Sequence, residues 1–450
     1  MNHTQKLAAF LADLHSEQLP AAVLERTEEL FLDWLGSALA AEGAHPVPLF
    51  ERFAARMGPA GGPSRILVNG RGTSAWFAAL VNAASSHLME LDDLHNGSVL
   101  HPGTVVFPAA LAAAQDLGRS GHELLLAAVA GYEAGIRIGE CLGRSHYRLF
   151  HTTATVGTLA AAVAVGKLLG LDREGFLRVL GSAGTQAAGL WAFLRDTTDS
   201  KQLHAAKAAA DGLLSAYLVG EGLDGARDVL EGAGGLATVM SIDAEPARLS
   251  DRLGTRWALL ETSIKVHACC RHTHPTADAL LALMAREGLS FEAIDRIDAR
   301  VHQDAIDMLG RVGTPATVHQ AKFSMGRVLG LVAVHGRAGL EEFRRWSLDD
   351  PRVLAIADKV HLQQDSEVDS AYPQRWLGRV QVRTTDGRLL YGAADAARGD
   401  PENPLSRVEL EDRFREMLAF AGTRTATEAD ALIDWVWRLR ASRELDGPMG

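Results

Sequence analysis

The chain has 450 residues, 47% of them hydrophobic and 22% charged, with a formal net charge of −11 at pH 7. That length exceeds one ordinary core and predicts two domains of a compact globular protein, not a disordered one. The acidic balance excludes a broad basic surface for nucleic acid and disfavours anionic membranes, although a few converging cations can still hold an acidic substrate.

The N-terminus runs straight into a helical pattern without a charged region followed by an apolar one, so no signal peptide is expected. Residues 19–41 place Leu, Val, Phe and Trp at helical spacing behind Pro20, which suits a first turn. Further helices are predicted at 75–91, 105–117, 121–142, 152–169 and 201–219. The last two are rich in Ala and Gly and should be central, because small residues let neighbouring helices approach closely. The apolar run 157–170 is interrupted by Lys167 and too short to span a bilayer.

The pattern changes after about residue 265. Helices are expected at 277–287, 320–335, 341–346 and 351–359. Residues 294–302 alternate as a half-buried strand, and 376–384 with 388–394 form a hairpin about Asp386-Gly387. The tail from Leu405 is helical again. The predicted fold is therefore mainly α: a large all-helical domain from 1–265 with 405–450, and a smaller inserted α+β domain over 266–404.

Chemistry concentrates in four stretches. Residues 90–103 read Glu-Leu-Asp-Asp-Leu-His-Asn-Gly-Ser-Val-Leu-His-Pro-Gly, bringing Glu90, Asp92, Asp93, His95 and His101 close together. Paired acids and bases suit proton transfer; a helix-end charge pair with solvated histidines is the plainer alternative. His151 precedes Thr152 and Thr153, either of which could cap the next helix and set the imidazole beside its positive end. In the stretch 196–204, Ser200 could cap a helix carrying Lys201 and His204 on one face. A lysine in a first turn opposes the dipole, so Asp199 or a bound carboxylate should compensate it.

The segment 267–278 contains Cys269, Cys270, Arg271, His272 and His274. His272 and His274 could be metal ligands, but no His-Glu-x-x-His or paired-cysteine pattern completes a site, so no metal is expected. Arg271 offers a planar fork for a carboxylate. The three cysteines, Cys141 being the third, make no disulfide framework and read as reduced thiols of a cytoplasmic protein. Nucleotide, phosphoryl-transfer and serine-hydrolase signatures are missing.

The segments, in order, resemble the MmgE/PrpD family, which includes 2-methylcitrate dehydratase, cis-aconitate decarboxylase and iminodisuccinate epimerase. The phrases are Leu-Pro-Ala-Ala-Val, Leu-Asp-Trp-Leu-Gly, Leu-Asp-Asp with His-Pro-Gly, Pro-Ala-Ala-Leu-Ala, Gly-Tyr-Glu, His-Thr-Thr and Lys-Leu-Leu-Gly-Leu. Gly-Thr-Gln-Ala-Ala-Gly-Leu, Lys-Gln-Leu-His, Cys-Cys-Arg-His-Thr-His-Pro-Thr-Ala-Asp, Ala-Lys-Phe-Ser and Asp-Pro-Glu-Asn-Pro-Leu-Ser complete the series. The resemblance implies a homodimer, an active site between the two domains, and action on small di- or tricarboxylates without a required metal or organic cofactor. It places catalytic residues at Asp92, Asp93, His101, His151, Lys201 and His274. Glu90, His95, His204, Arg271, His272 and Arg327 complete the expected substrate site. Three departures stand out: Glu90 replaces an aspartate found in several members, the loop between Asp93 and His101 is one residue longer than in the decarboxylase, and Arg327 stands where the decarboxylase carries a tyrosine, which weakens a transfer of that mechanism. The expected activity is that of a cofactor-independent hydro-lyase resembling 2-methylcitrate dehydratase. The alternatives are an iminodisuccinate-type epimerase, a decarboxylase of the cis-aconitate type, and a non-catalytic carboxylate-binding protein.

Overall fold

A computed structural model of the protein describes residues 1–193, 198–310, 314–445 and 447; Asp196 and Thr197 of the stretch before Lys201 lie outside the described residues. The architecture is mainly α. Among the described residues nine helices come first: α1 (His3–Asp13), α2 (Ala21–Leu39), α3 (Val47–Met57), α4 (Ala75–Ser86), α5 (Gly103–Asp116), α6 (Gly121–Leu149), α7 (Thr152–Leu168), α8 (Arg173–Gly184) and α9 (Ser200–Gly220). Helices α3 and α8 are additional to those expected. Helix α6 runs past residue 142 through a break at Gly143, whose φ of 70° only glycine adopts readily.

The core centres on α7, in which every residue but Lys167 is buried. Helices α5, α6, α8 and α9 pack against it, and α4 packs on α5 and α9. The approach of α9 to α7 depends on Gly212: a Cβ there would lie 2.6 Å from both Ala161 Cβ and Thr158 O. Lys167, which interrupts the apolar run, donates to the carbonyls of Leu11 and Ala12 at 3.0 and 3.1 Å, satisfying the end of α1.

Beyond α10 (Leu236–Val239) the chain becomes mixed. Four strands, β5 (Ile294–Val301), β6 (Val360–Gln364), β7 (Gly378–Thr384) and β8 (Leu389–Ala394), form a sheet of order β6-β5-β7-β8. Strand β6 was not anticipated; it pairs parallel to β5. The β7–β8 hairpin is the predicted one. Helix α11 (His274–Glu287) packs on the sheet, and α12 (Gln303–Leu309) follows β5. The helix predicted over 320–335 is two pieces, α13 (Val318–Ala321) and α14 (Met325–His335), because Ser324 accepts from the Arg327 N–H and caps the second. Short helices α15 (Leu340–Trp346), α16 (Pro351–Ala357) and α17 (Ser366–Ala371) surround that strand region in sequence. The tail helices α18 (Arg407–Ala421) and α19 (Ala426–Trp437) return to pack on α2.

Four two-residue strands form two further pairs among the described residues: β1 (Ser64–Arg65) with β2 (Gly72–Thr73), and β3 (Leu94–His95) with β4 (Thr262–Ser263). The second pair positions the site. All three cysteines are free and buried. No helix among the described residues is long and apolar enough to cross a membrane.

Candidate active site

Helix α4 ends at Ser86, earlier than predicted, and the acidic loop begins. Strand β3 pairs antiparallel with β4, Leu94 opposite Ser263 and His95 opposite Thr262. Continuing that register by two residues sets Lys265 opposite Asp92, and Lys265 Nζ lies 3.6 Å from Asp92 Oδ1. The same ammonium is 3.7 Å from Glu90 Oε2. Glu90 also receives the Lys201 ammonium of α9. Its φ of 58° and that of Val99, 48°, fall in the left-handed region, costly for non-glycine residues and common at functional sites. Burial opposes ionisation of Glu90, but Lys201 and Lys265 outweigh it and hold the carboxyl below its usual range.

Asp92 is shared by two imidazoles. His87 Nδ1 lies 2.7 Å from Asp92 Oδ2, and His101 Nδ1 lies 3.1 Å from the same oxygen. His101 Nδ1 is also 2.7 Å from the Asp93 carbonyl oxygen. With Asp92 ionised both partners only accept, so His101 Nδ1 carries the proton and Nε2 keeps the lone pair in the neutral ring. Burial, chiefly, lowers His101 below its ordinary value, so the neutral ring is the form present at pH 7. Burial works against ionised Asp92 too, but His101, His87 and Lys265 hold it well below the usual range.

Asp93 turns the other way. Its Oδ1 accepts from the Gly103 N–H at the start of α5 at 2.9 Å, and its Oδ2 from the Tyr132 hydroxyl at 2.7 Å. Burial, with Asp33 and Asp92 nearby, raises it to about 8 despite those donors.

His151 itself occupies the N-cap position of α7 without a side-chain cap bond; Thr152 and Thr153, expected as caps, are inside the first turn. Likewise Asp199, not Ser200, is at the N-cap of α9. The His151 ring stacks on His87 at 5.5 Å and meets Trp191 at 4.6 Å. His151 Nδ1 is 3.2 Å from His204 Nδ1, so His204 stands behind His151. Burial first, then His87 and His204, pushes His151 well below its ordinary value.

Arg271 is anchored by Asp400, which also accepts from Ser263 and from Asn96, the latter at 2.9 Å. His274 Nε2 lies 3.3 Å from the Cys269 carbonyl, leaving Nδ1 to accept from Arg271 at 3.4 Å. His274 therefore supports Arg271 from behind. His272 stacks on Trp376 at 4.8 Å. His95 accepts the Ser98 N–H at 3.1 Å and faces Glu261 at 3.6 Å, in a neighbouring groove. Arg327 is buried on α14 with its Nε unpartnered, and it does not line the cleft.

What these segments enclose is a tight cleft of about 30 Å³. Glu90, His101, His151, Lys201, Lys265, Arg271 and His272 supply its polar lining, with Tyr147, Trp191, Phe323 and Trp376 as aromatic walls. Three cations and a lone-pair imidazole in an enclosed space can bind carboxylates and move a carbon-bound proton. His87, Asp92 and His101 lie close enough to share a cation, but both Nδ1 atoms already donate to Asp92. Sequence reasoning missed His87, Lys265, Tyr147, Trp191, Trp376 and Asp400. A histidine closing an apolar helix was the one readable sign of His87; Lys265 showed only as a basic residue after Thr-Ser-Ile.

Comparison with known proteins agrees with the ordered motifs. Residues 5–249 match the MmgE/PrpD N-terminal domain and residues 267–439 the MmgE/PrpD C-terminal domain. The chain is 30% identical to the cis-aconitate decarboxylase-like protein oryM of Aspergillus oryzae, over 92% of this chain and 90% of that protein. It is 28% identical to a cis-aconitate decarboxylase of Aspergillus terreus, over 92% and 89% of the two chains. It is 25% identical to the cis-aconitate decarboxylase of Homo sapiens, over 92% and 87%. With both domains matched in order along one chain, this protein belongs to the MmgE/PrpD family.

Proposed function

We propose that the protein is a cofactor-independent lyase acting on a small di- or tricarboxylate, most simply by eliminating water beside a carboxylate. The observation that carries this is the lone pair of His101 Nε2, fixed by Asp92 and the Asp93 carbonyl in a cleft holding Lys201, Lys265 and Arg271. His101 takes the carbon-bound proton. The cations hold the carboxylates and stabilise the enolate-like charge that develops. His101, protonated in that step, gives the proton to the leaving hydroxyl, which departs as water, and neutral His151 helps to orient that hydroxyl.

A second reading, decarboxylation, is favoured by the names of the relatives. Loss of carbon dioxide passes through a similar carbanion, and the same cations would serve it. Proton NMR in deuterium oxide separates the two. Metal-stripped enzyme with 2-methylcitrate, citrate, cis-aconitate or iminodisuccinate is expected to give a new vinyl signal from a citrate. Carbon dioxide release from cis-aconitate would establish the decarboxylase instead, and deuterium at a retained chiral carbon an epimerase. No exchange with any of them would sink the polycarboxylate reading.

The same proposal takes residues 1–265 with 405–450 as the helical domain and 266–404 as the α+β domain, supported by the packing of α18 and α19 on α2. It takes the protein as a cytoplasmic homodimer. Leu49, Phe53 and Leu203 are exposed by 44%, 45% and 49% around one apolar hollow, a feature a partner surface could cover. Light scattering should return twice the 48.2 kDa chain mass; a monomer at micromolar concentration would contradict it.

A further inference from the structure

One wall of the cleft carries a chain of hydrogen bonds whose direction is set at its far end. The Ala305 backbone N–H donates to His302 Nδ1 at 3.2 Å. A backbone N–H can only donate, so Nδ1 of His302 is the lone-pair nitrogen and its proton sits on Nε2. Burial lowers His302 to about 3 and His272 well below its ordinary value, so each ring is neutral at pH 7 and has one N–H. His302 Nε2 therefore donates to His272 Nδ1, 3.3 Å away. His272 then carries its own proton on Nε2, which lies 3.4 Å from the Tyr147 hydroxyl oxygen. In that contact the phenol oxygen accepts. The opposite direction would require a proton on His302 Nδ1, pointing at the Ala305 N–H.

The hydroxyl proton of Tyr147 must then point elsewhere, and no other acceptor for it occurs among the described residues. Tyr147 lines the cleft beside Lys201, Lys265 and Arg271. Its ring is held in place: edge-on against Trp191 at 5.3 Å, with its own carbonyl accepting the Trp191 indole N–H. Burial raises the phenol well above its usual value, so it stays protonated.

We propose that Tyr147 is a substrate-binding hydrogen-bond donor, its polarity imposed by His302 through His272, which accepts only an oxygen acceptor such as a carboxylate or carbonyl oxygen of the bound acid. His272 and His302 are positioning residues in this scheme. The inference rests on the polycarboxylate reading of the cleft and deepens it: a fourth donor joins three cations, so the site recognises a ligand offering acceptors in several directions.

Two measurements on the full chain test it. Calorimetric titration with tricarballylate, a saturated tricarboxylate, is expected to show affinity falling about 10- to 100-fold in Tyr147→Phe, the range for a hydrogen bond to a charged partner. Near-ultraviolet circular dichroism should show that the variant is folded. His272→Gln keeps an N–H donor and should recover most of the affinity lost in His272→Leu. Nitrogen-15 NMR of histidine-labelled protein, with both rings assigned by substitution, should show His272 and His302 as Nε2–H tautomers. An Nδ1–H tautomer at either ring, or Tyr147→Phe binding within twofold of the wild type, would overturn the donor assignment. Wild-type protein that fails to bind tricarballylate would instead overturn the polycarboxylate reading and the ligand class assigned with it.

Discussion

Asp93→Asn is the sharpest probe of how the acidic loop divides its labour. Asp93 sits at the start of α5 between the Gly103 N–H and the Tyr132 hydroxyl, away from the cleft. Burial above all raises its carboxyl from 3.8 to about 8. In the unfolded chain the group ionises near 4, so between those limits the folded protein binds one proton more. Stability therefore falls as pH rises through that window, by about 1.4 kcal/mol per pH unit for a single proton. From pH 5 to pH 7 this group alone should cost the wild type about 3 kcal/mol. An asparagine keeps the shape: its oxygen can accept from Gly103 and its amide can donate to the Tyr132 oxygen. It has no titration, so the stability of the variant relative to wild type should rise by about 3 kcal/mol over the same two units. Urea unfolding followed by tryptophan fluorescence at pH 5, 6 and 7, with refolding verified, measures that difference. A constant difference across pH would show that Asp93 is ionised throughout, and the raised carboxyl would be wrong.

Four further outcomes follow from the same geometry. His101→Gln should lower kcat by about 10²- to 10⁴-fold, the usual worth of a positioned base, with KM changed far less; an unchanged kcat would remove His101 from the mechanism. Because His101 must be neutral to act and its value is lowered, kcat/KM in the wild type should stay level near pH 7 and fall only as pH drops below 6.5. Lys265→Met leaves Glu90 and Asp92 short of a buried cation and should destabilise the fold by about 3–5 kcal/mol, read from denaturant midpoints, beyond any effect on turnover. Gly212→Ala should cost about 1–3 kcal/mol by forcing α9 off α7, detectable as a lower melting temperature; an unchanged one would mean that the helices can separate freely.

Several parts of the molecule were legible in the order of its residues. Periodicity located the helices around α7, because a buried helix of small residues looks unlike any strand. Asp386-Gly387 between two alternating runs announced the β7–β8 hairpin. The density of acids and histidines at 90–103 marked the loop that holds Asp92 and His101. Strand β6 escaped because it lies at the edge of its sheet with largely solvated side chains, and so has little apolar alternation to read. The break at Lys322 to Ser324 escaped because the apolar spacing continues across it while a single serine cap restarts the helix.

Local sequence determined which residue types were available for proton transfer and carboxylate binding. Only tertiary structure decided which of them meet. Pairing of β3 with β4 carries Lys265 to Asp92 from the far side of the chain, and Asp400 orients Arg271. Asp93, adjacent to Asp92, ends in a different environment because successive residues at a short strand's edge point opposite ways. The direction of a hydrogen bond at His101 or Tyr147 is likewise absent from any motif: it depends on whether a neighbour far along the chain can donate, accept or do both.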